Sequence, residues 1–222
     1  AAQELCGARP ALWGHGGAYD GRGILALHRR PLLSNTGPRA RIHLAGVLDL
    51  AAEHMVLLAT PAQVDGRARA NLSAIGDWAR PKLALGGTRG LPDAPEIHFV
   101  LPGHSARQLV SKVDFVSTDA SARTVAPRLF TELAVLEWRS EGWRLAALLG
   151  AATAEDVQAR TGFALDLSVP PERVPDPDAA FLAMLDQVDP MRVRALDFAG
   201  SREERVAALR RIEAAERQRT EP

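Results

Sequence analysis

The chain has 222 residues, with 27 Lys and Arg against 27 Asp and Glu, so its formal net charge is zero. That balance argues against a nucleic-acid surface, which needs basic excess on one face. A single cysteine, Cys6, excludes an internal disulfide and a cysteine-rich zinc site, and a reducing, cytoplasmic setting is the simplest reading.

No apolar run approaches the roughly 20 residues of a membrane-spanning helix. The opening AAQELCGARP lacks the basic, apolar and small-residue succession of a signal peptide, and it reads instead as the last turn of an amphipathic helix ending near Gly7. Pro10 to Trp13 is a short strand candidate that runs into Gly14-His15-Gly16-Gly17, a turn where backbone can approach a ligand closely. Gly21 to Leu27 is a second short strand candidate. Val47, Leu48, Leu50 and Ala51 have helical spacing to His54, and the strand Met55 to Ala59 follows with almost no loop, an α/β connection. That strand stops at Thr60-Pro61 and breaks into Gln63, Asp65, Asn71 and Ser73. Small polar residues at the C-terminal end of a buried strand mark the place where open α/β sheets hold ligands.

Residues 75–91 are loop-rich and contain Arg80-Pro81-Lys82 and Gly86-Gly87-Thr88-Arg89-Gly90. Ile97 to Leu101 reads as a strand. Ser105, with Gln108 three residues on, reads as the cap of a short helix, and Val113 to Val116 as another strand. Thr131 to Trp138 and Trp143 to Leu149 are two strands around the hairpin turn Ser140-Glu141-Gly142. Trp138 and Trp143 are packing residues. Thr153 caps a helix over 154–160, with Glu155 and Asp156 in its first turn and Gly162 past its end. Phe163 to Leu167 reads as a strand and 170–177 as a proline-rich linker. The last 45 residues are helical, with one apolar face of Phe181, Leu182 and Leu185 and another of Val206, Leu209 and Ile212 on a charged final helix, 201 to about 217.

No Walker A loop, GxSxG, HExxH or GxGxxG is present, and the six histidines (His15, His28, His43, His54, His98, His104) are not paired at ligand spacing, so no metal site is expected. Three glycine-bearing or polar loops remain: 14–17, 63–73 and 86–90. Their free backbone N–H groups can hold an anion or a developing oxyanion, and together they suggest one shared site.

These loops resemble the β subunit of the family I CoA-transferases over about residues 1–194. Residues 8–17 stand where that family has a strand of the type "aPDLvlv-E-sG". Ala62-Gln63-Val64-Asp65 with Asn71-Leu72-Ser73 matches its "QVD" motif. Asp77, Arg80-Pro81-Lys82 and Gly86-Gly87 match its "RPK" and glycine loop. Thr131-Glu132-Leu133-Ala134-Val135-Leu136 matches "TDLaVf", Thr153 to Leu165 matches the "T-x-E…TGF-x-L" stretch, and Val188-Asp189-Pro190 to Arg194 matches "IDPxxxR".

The resemblance implies an α/β domain over 1–168, with an open, mostly parallel sheet flanked by helices (CoA-transferase or NagB-RpiA-like). A helical C-terminal tail over 169–222 would pack on the same domain. It implies an acyl-CoA substrate, no permanently bound cofactor beyond the coenzyme A of that substrate, and a homologous α-like partner in a heterodimer or α2β2 assembly. It places His15 as the catalytic candidate where the family has a nucleophilic glutamate. Gly16, Gly17, Gln63, Asp65, Asn71, Gly86, Gly87 and Arg89 are assigned to substrate or CoA, Arg89 meeting a phosphate or carboxylate. No carboxylate occurs in 13–19, and histidine cannot form the glutamyl thioester, though it can act as base or donor. The expectation is therefore one of the branches without that glutamate: a two-subunit decarboxylase of glutaconyl-CoA-type substrates, or a hydrolase of ring-bearing CoA esters. A genuine CoA-transferase subunit and a non-catalytic structural subunit are the alternatives.

Overall fold

The computed structural model describes Leu12–Trp13, Ala18–Tyr19, Ala40–Arg41 and residues 56–85, 94–196 and 198–220. The chain divides into one compact unit of residues 48–176 and another made of 1–47 with 177–222. The N-terminal part of the latter contributes β1 (Leu12–Trp13), β2 (Ala18–Tyr19) and β3 (Ala40–Arg41), an antiparallel trio in the order β1-β2-β3. The strand expected at Trp13 is there. The strand expected over 21–27, the helix expected over 47–54 and the loop 14–17 lie outside the described residues.

In the unit 48–176, β4 (Val56–Ala59) is followed by the hairpin β5 (Gln63–Asp65) and β6 (Arg69–Asn71), and then by a second hairpin, β7 (Ala74–Ile75) and β8 (Leu83–Ala84). Then come β9 (Glu96–Val100), β10 (Leu109–Val110), β11 (Thr118–Asp119), β12 (Arg128–Phe130), β13 (Ala134–Arg139), β14 (Gly142–Leu148), helix α1 (Ala154–Ala159) and β15 (Glu172–Arg173). The main sheet runs β15-β14-β13-β12-β9-β4, and a four-stranded sheet runs β10-β5-β6-β11. The main sheet is mixed. β4/β9, β9/β12 and β14/β15 are parallel, whereas β12/β13 and β13/β14 are antiparallel, because the short turns after Phe130 and Arg139 can only fold the chain back on itself.

The core follows from strand alternation. Ala59, Phe99, Leu129, Leu136 and Leu145 stand opposite one another on successive strands, and all are buried. The β13/β14 register slips between Val135 and Leu136, leaving one extra residue in β14. That bulge returns Leu148 to the core face; without it the side-chain period of two would put Leu148 on the other side. Trp138 and Trp143 meet edge to face, their centroids 5.5 Å apart, as the packing pair expected. On the opposite face one rung carries His98, Arg128, Glu137 and Arg144. Arg128, Arg139 and Arg144 all reach the Glu137 carboxylate at 2.6–3.0 Å.

Thr153 caps α1 as expected, in a reciprocal box with Asp156. Three expectations give way, the first to strand pairing and the other two to side-chain competition. Ser105 opens a single turn, because Leu109 leaves it at once to pair with Val64. Residues 113–116 form no strand: the N–H groups of Val113 and Asp114 go to the buried carboxylate of Asp65 and amide of Gln63. Residues 163–167 keep one contact with the sheet, Asp166 beside Arg144, while the Gln158 amide takes the strand partner's place at Phe163 O and Leu165 N.

In the other unit, α2 (Ala179–Val188) is capped by Asp178, and α3 (Arg202–Thr220) by Ser201, whose Oγ accepts Glu204 N at 3.1 Å. The apolar faces differ from those expected. On α2 the half-buried stripe is Phe181, Met184, Leu185 and Val188, with Leu182 exposed. On α3 the inward residues are buried Ala208 and Ile212 with half-buried Leu209, and Val206 is exposed. On α2 the stripe keeps i, i+3, i+4, i+7 spacing, and on α3 Ala208 and Ile212 are i, i+4 neighbours with Leu209 three residues before Ile212. Between the helices, buried Asp189 accepts Val193 N and Arg194 N and pairs with the Arg194 guanidinium at 2.9 Å, which explains the spacing of Asp189-Pro190 and Arg194.

Candidate functional site

The parallel strand β4 ends at Ala59, and the chain turns through Thr60-Pro61 into the β5/β6 hairpin. Its turn is tight: Ala68 N donates to Asp65 O at 3.1 Å, and Ala68 adopts φ 57°. Gly66 at the turn lies against Phe163, where a Cβ would come within 3.0 Å of the phenylalanine Cβ.

Gln63, Asp65 and Asn71 come together in this hairpin, all three buried. Asn71 donates through Nδ2 to Gln63 Oε1 at 2.8 Å and to Ala74 O at 2.6 Å, and its Oδ1 accepts Ser73 N and Ala74 N. Gln63 carries the network outward, donating to Asp114 Oδ2 at 3.2 Å, and that same carboxylate oxygen accepts Gly76 N at 2.8 Å. Asp65 accepts backbone N–H groups from Arg67, Arg69 and Val113 and holds the Arg69 guanidinium through Nε at 2.9 Å and Nη2 at 2.6 Å. The hydrogen bond to Asp65 raises the Arg69 pKa further above its ordinary value. Trp143, deep in the main-sheet core, donates its Nε1–H to Asp65 O at 2.9 Å.

Every polar group of the trio is therefore occupied within the chain, and what the trio does here is hold the geometry of the strand-end loops. His15, Gly16, Gly17, Gly86, Gly87 and Arg89 lie outside the described residues.

A second buried centre escaped sequence reading. His104 is buried, with Nδ1 2.8 Å from Thr131 Oγ1 and Nε2 2.9 Å from Thr161 Oγ1. Thr161 donates its hydroxyl to Val157 O at 2.8 Å, so it accepts from His104. Thr131 Oγ1 accepts Leu133 N and Ala134 N and donates to Ala134 O at 3.1 Å. The Thr161 contact therefore places a proton on Nε2. Burial lowers the His104 pKa below its ordinary 6.5, opposed first by the Val157 backbone and then by the carboxylate of Glu132. The signal was present in the sequence: Thr131 and Thr161 are fixed points of two separate matched stretches. Nothing local to Gly103-His104-Ser105 shows that one imidazole joins them. A shallow cavity of about 300 Å³ on the polar face of the main sheet is lined by Glu96, His98, Arg128, Glu137 and Arg139. His98 Nδ1 accepts Arg128 N at 3.0 Å and Nε2 meets Glu96 at 2.7 Å, so neither ring nitrogen is available to a substrate.

No protein-family model matches the chain. One of the subunits of glutaconate CoA-transferase from Acidaminococcus fermentans is 27% identical over 158 residues, 63% of this chain and 59% of that protein. The chain thus spans about 59% of the length of this curated relative. Among solved structures, the decarboxylase AibA/AibB superposes with a TM-score of 0.73 at 27% identity, covering 83% of this chain and 79% of that one. The chain is family I CoA-transferase β-subunit-like. Glutaconate coenzyme A-transferase from A. fermentans superposes with a TM-score of 0.69 at 20% identity, over 81% of this chain and 78% of that one. The mixed sheet and C-terminal helix of this CoA-transferase-like chain match that fold.

Proposed function

We propose that the chain is the β-like subunit of a heteromeric enzyme that acts on an acyl-CoA thioester by decarboxylation or by hydrolysis of a C–C or thioester bond. The observation that carries this is the likeness, over 83% of the chain, to a decarboxylase named for two components, AibA and AibB. The partner is then a homologous α-like chain. The residues 13–19 hold no carboxylate, so this chain supplies no glutamyl nucleophile in the first loop. In a decarboxylation, the electron pair left when CO2 departs is held as a thioester enolate. In this reading the loops bearing Gly16, Gly17, Gly86 and Gly87 offer backbone N–H groups to the oxyanion, and His15 returns a proton to carbon. Gln63, Asp65 and Asn71 hold the middle loop in register.

The test is to purify the chain with its α-like partner and supply glutaconyl-CoA-like and cyclic acyl-CoA substrates. CO2 release or ring opening is expected, with His15→Ala losing about 100-fold or more in kcat. CoA transfer is the second reading, favoured by the curated relative's being part of a CoA-transferase. Acetate-dependent CoA exchange through a hydroxylamine-sensitive protein adduct would establish it in place of the first.

A further inference from the structure

The β7/β8 hairpin carries an aromatic ring that packing does not require. Trp78 is 63% exposed, yet its indole lies flat on Phe115, with centroids 4.4 Å apart and planes 18° from parallel. Phe115 covers one face, and the exposure leaves the other to solvent. Leu83 in the same hairpin and Val116 next to Phe115 in the chain are 55% and 45% exposed. A ring this open would ordinarily wander among rotamers, but both segments beneath it are pinned. Gly76 N donates to Asp114 Oδ2 at 2.8 Å, Lys82 N to Ile75 O at 2.9 Å and Leu85 N to Ser73 O at 2.8 Å. Gly76, at φ +89°, also admits the Lys82 side chain, whose Cγ would lie 3.2 Å from a Cβ there. Through Asp114 the hairpin is tied to Gln63 and so to the buried trio.

The hairpin is cationic. Arg80 and Lys82 follow Trp78 in the same hairpin, both exposed and neither ion-paired among the described residues. Asp77 accepts Ala79 N and Asp114 accepts Gly76 N in the segments beneath the ring. A flat, preset aromatic face in a hairpin that also carries two exposed cations without an ion pair among the described residues fits a planar heteroaromatic base that carries phosphates: the ring supplies stacking and the cations meet the anion.

We propose that the outer face of Trp78, backed by Phe115 and with Arg80 and Lys82 in the same hairpin, is the stacking platform for the adenine nucleotide end of the acyl-CoA substrate. This rests on the acyl-CoA reading above. The experiment is calorimetric titration of the full chain, alone and with its partner, using CoA, adenosine 3′,5′-bisphosphate and an S-acyl pantetheine that lacks the nucleotide. Trp78→Ala should weaken CoA and the bisphosphate about tenfold or more and leave the pantetheine thioester unchanged, with Trp78→Phe staying within about threefold of wild type. Arg80→Gln with Lys82→Gln should weaken the bisphosphate and flatten its salt dependence. Equal CoA affinity in wild type and Trp78→Ala would overturn the platform and leave the acyl-CoA reading standing. Failure of the wild type to bind either CoA or the pantetheine thioester would overturn both. A Trp78→Ala change that shifts only the sedimentation coefficient would overturn the platform and make this face a contact between protein chains.

Discussion

Asp65 shows how a residue can be tied to a ligand site without a free atom to offer a ligand. Its carboxylate takes three backbone N–H groups and a forked guanidinium, all from side chains and loops within the hairpin or against it. Asp65→Asn keeps the shape but turns an NH2 toward groups that donate, and it leaves Arg69 without its counter-charge. A loss of about 3 kcal/mol is expected, read as a fall in the urea midpoint at unchanged m-value. A loss under about 1 kcal/mol would show that the carboxylate is not the keystone described. The residue types in 63–73 were legible in sequence as polar groups at a strand end. Their saturation was not, because the donors come from Val113 and from the Trp143 indole, 48 and 78 positions away.

At the scale of elements, the strands with clear alternation and the capped helix could be read directly: β9, β13, β14, α1 and α3 each stand within a few residues of expectation. What could not be read was where a side chain replaces a backbone partner, as Gln158 does at Phe163 and Leu165 and as Asp65 and Gln63 do at 113–114. Such substitutions leave strand-like composition in a segment that makes no ladder. The stop after α1 is a further case. Gly162 was legible as a helix terminator, yet its backbone N also donates to Leu109 O at 2.7 Å, and a Cβ there would sit 2.5 Å from that oxygen. Gly162→Ala must therefore push the end of α1 away from β10, costing about 1–3 kcal/mol. Gly142→Ala, with nothing within 4 Å, should change stability by less than about 0.5 kcal/mol. Thermal melts of the pair test the contrast, and equal melting temperatures would refute it.

For the molecule as a whole, acidification should act in two windows with one sign. His104 has a folded pKa below its ordinary 6.5, so as pH falls through that value the unfolded chain takes up a proton that the folded chain resists, and stability drops. Glu137 is held below its ordinary 4.5, first by Arg144 and then by Arg139 and Arg128, so a second loss begins as pH falls past that value and is complete below the folded pKa. His104→Gln should flatten the upper window and Glu137→Gln the lower one, in urea titrations repeated from pH 8 to pH 3. A slope unchanged by both substitutions would remove these two groups as its source. The indole of Trp143 couples these scales in another way. It stands in the main-sheet core, touches Trp138 edge to face and donates to the carbonyl of Asp65. A chromophore hydrogen-bonded to the strand-end hairpin makes the protein its own spectrometer: the emission of Trp143 and its excitonic signature with Trp138 respond when that hairpin loosens, with no label attached.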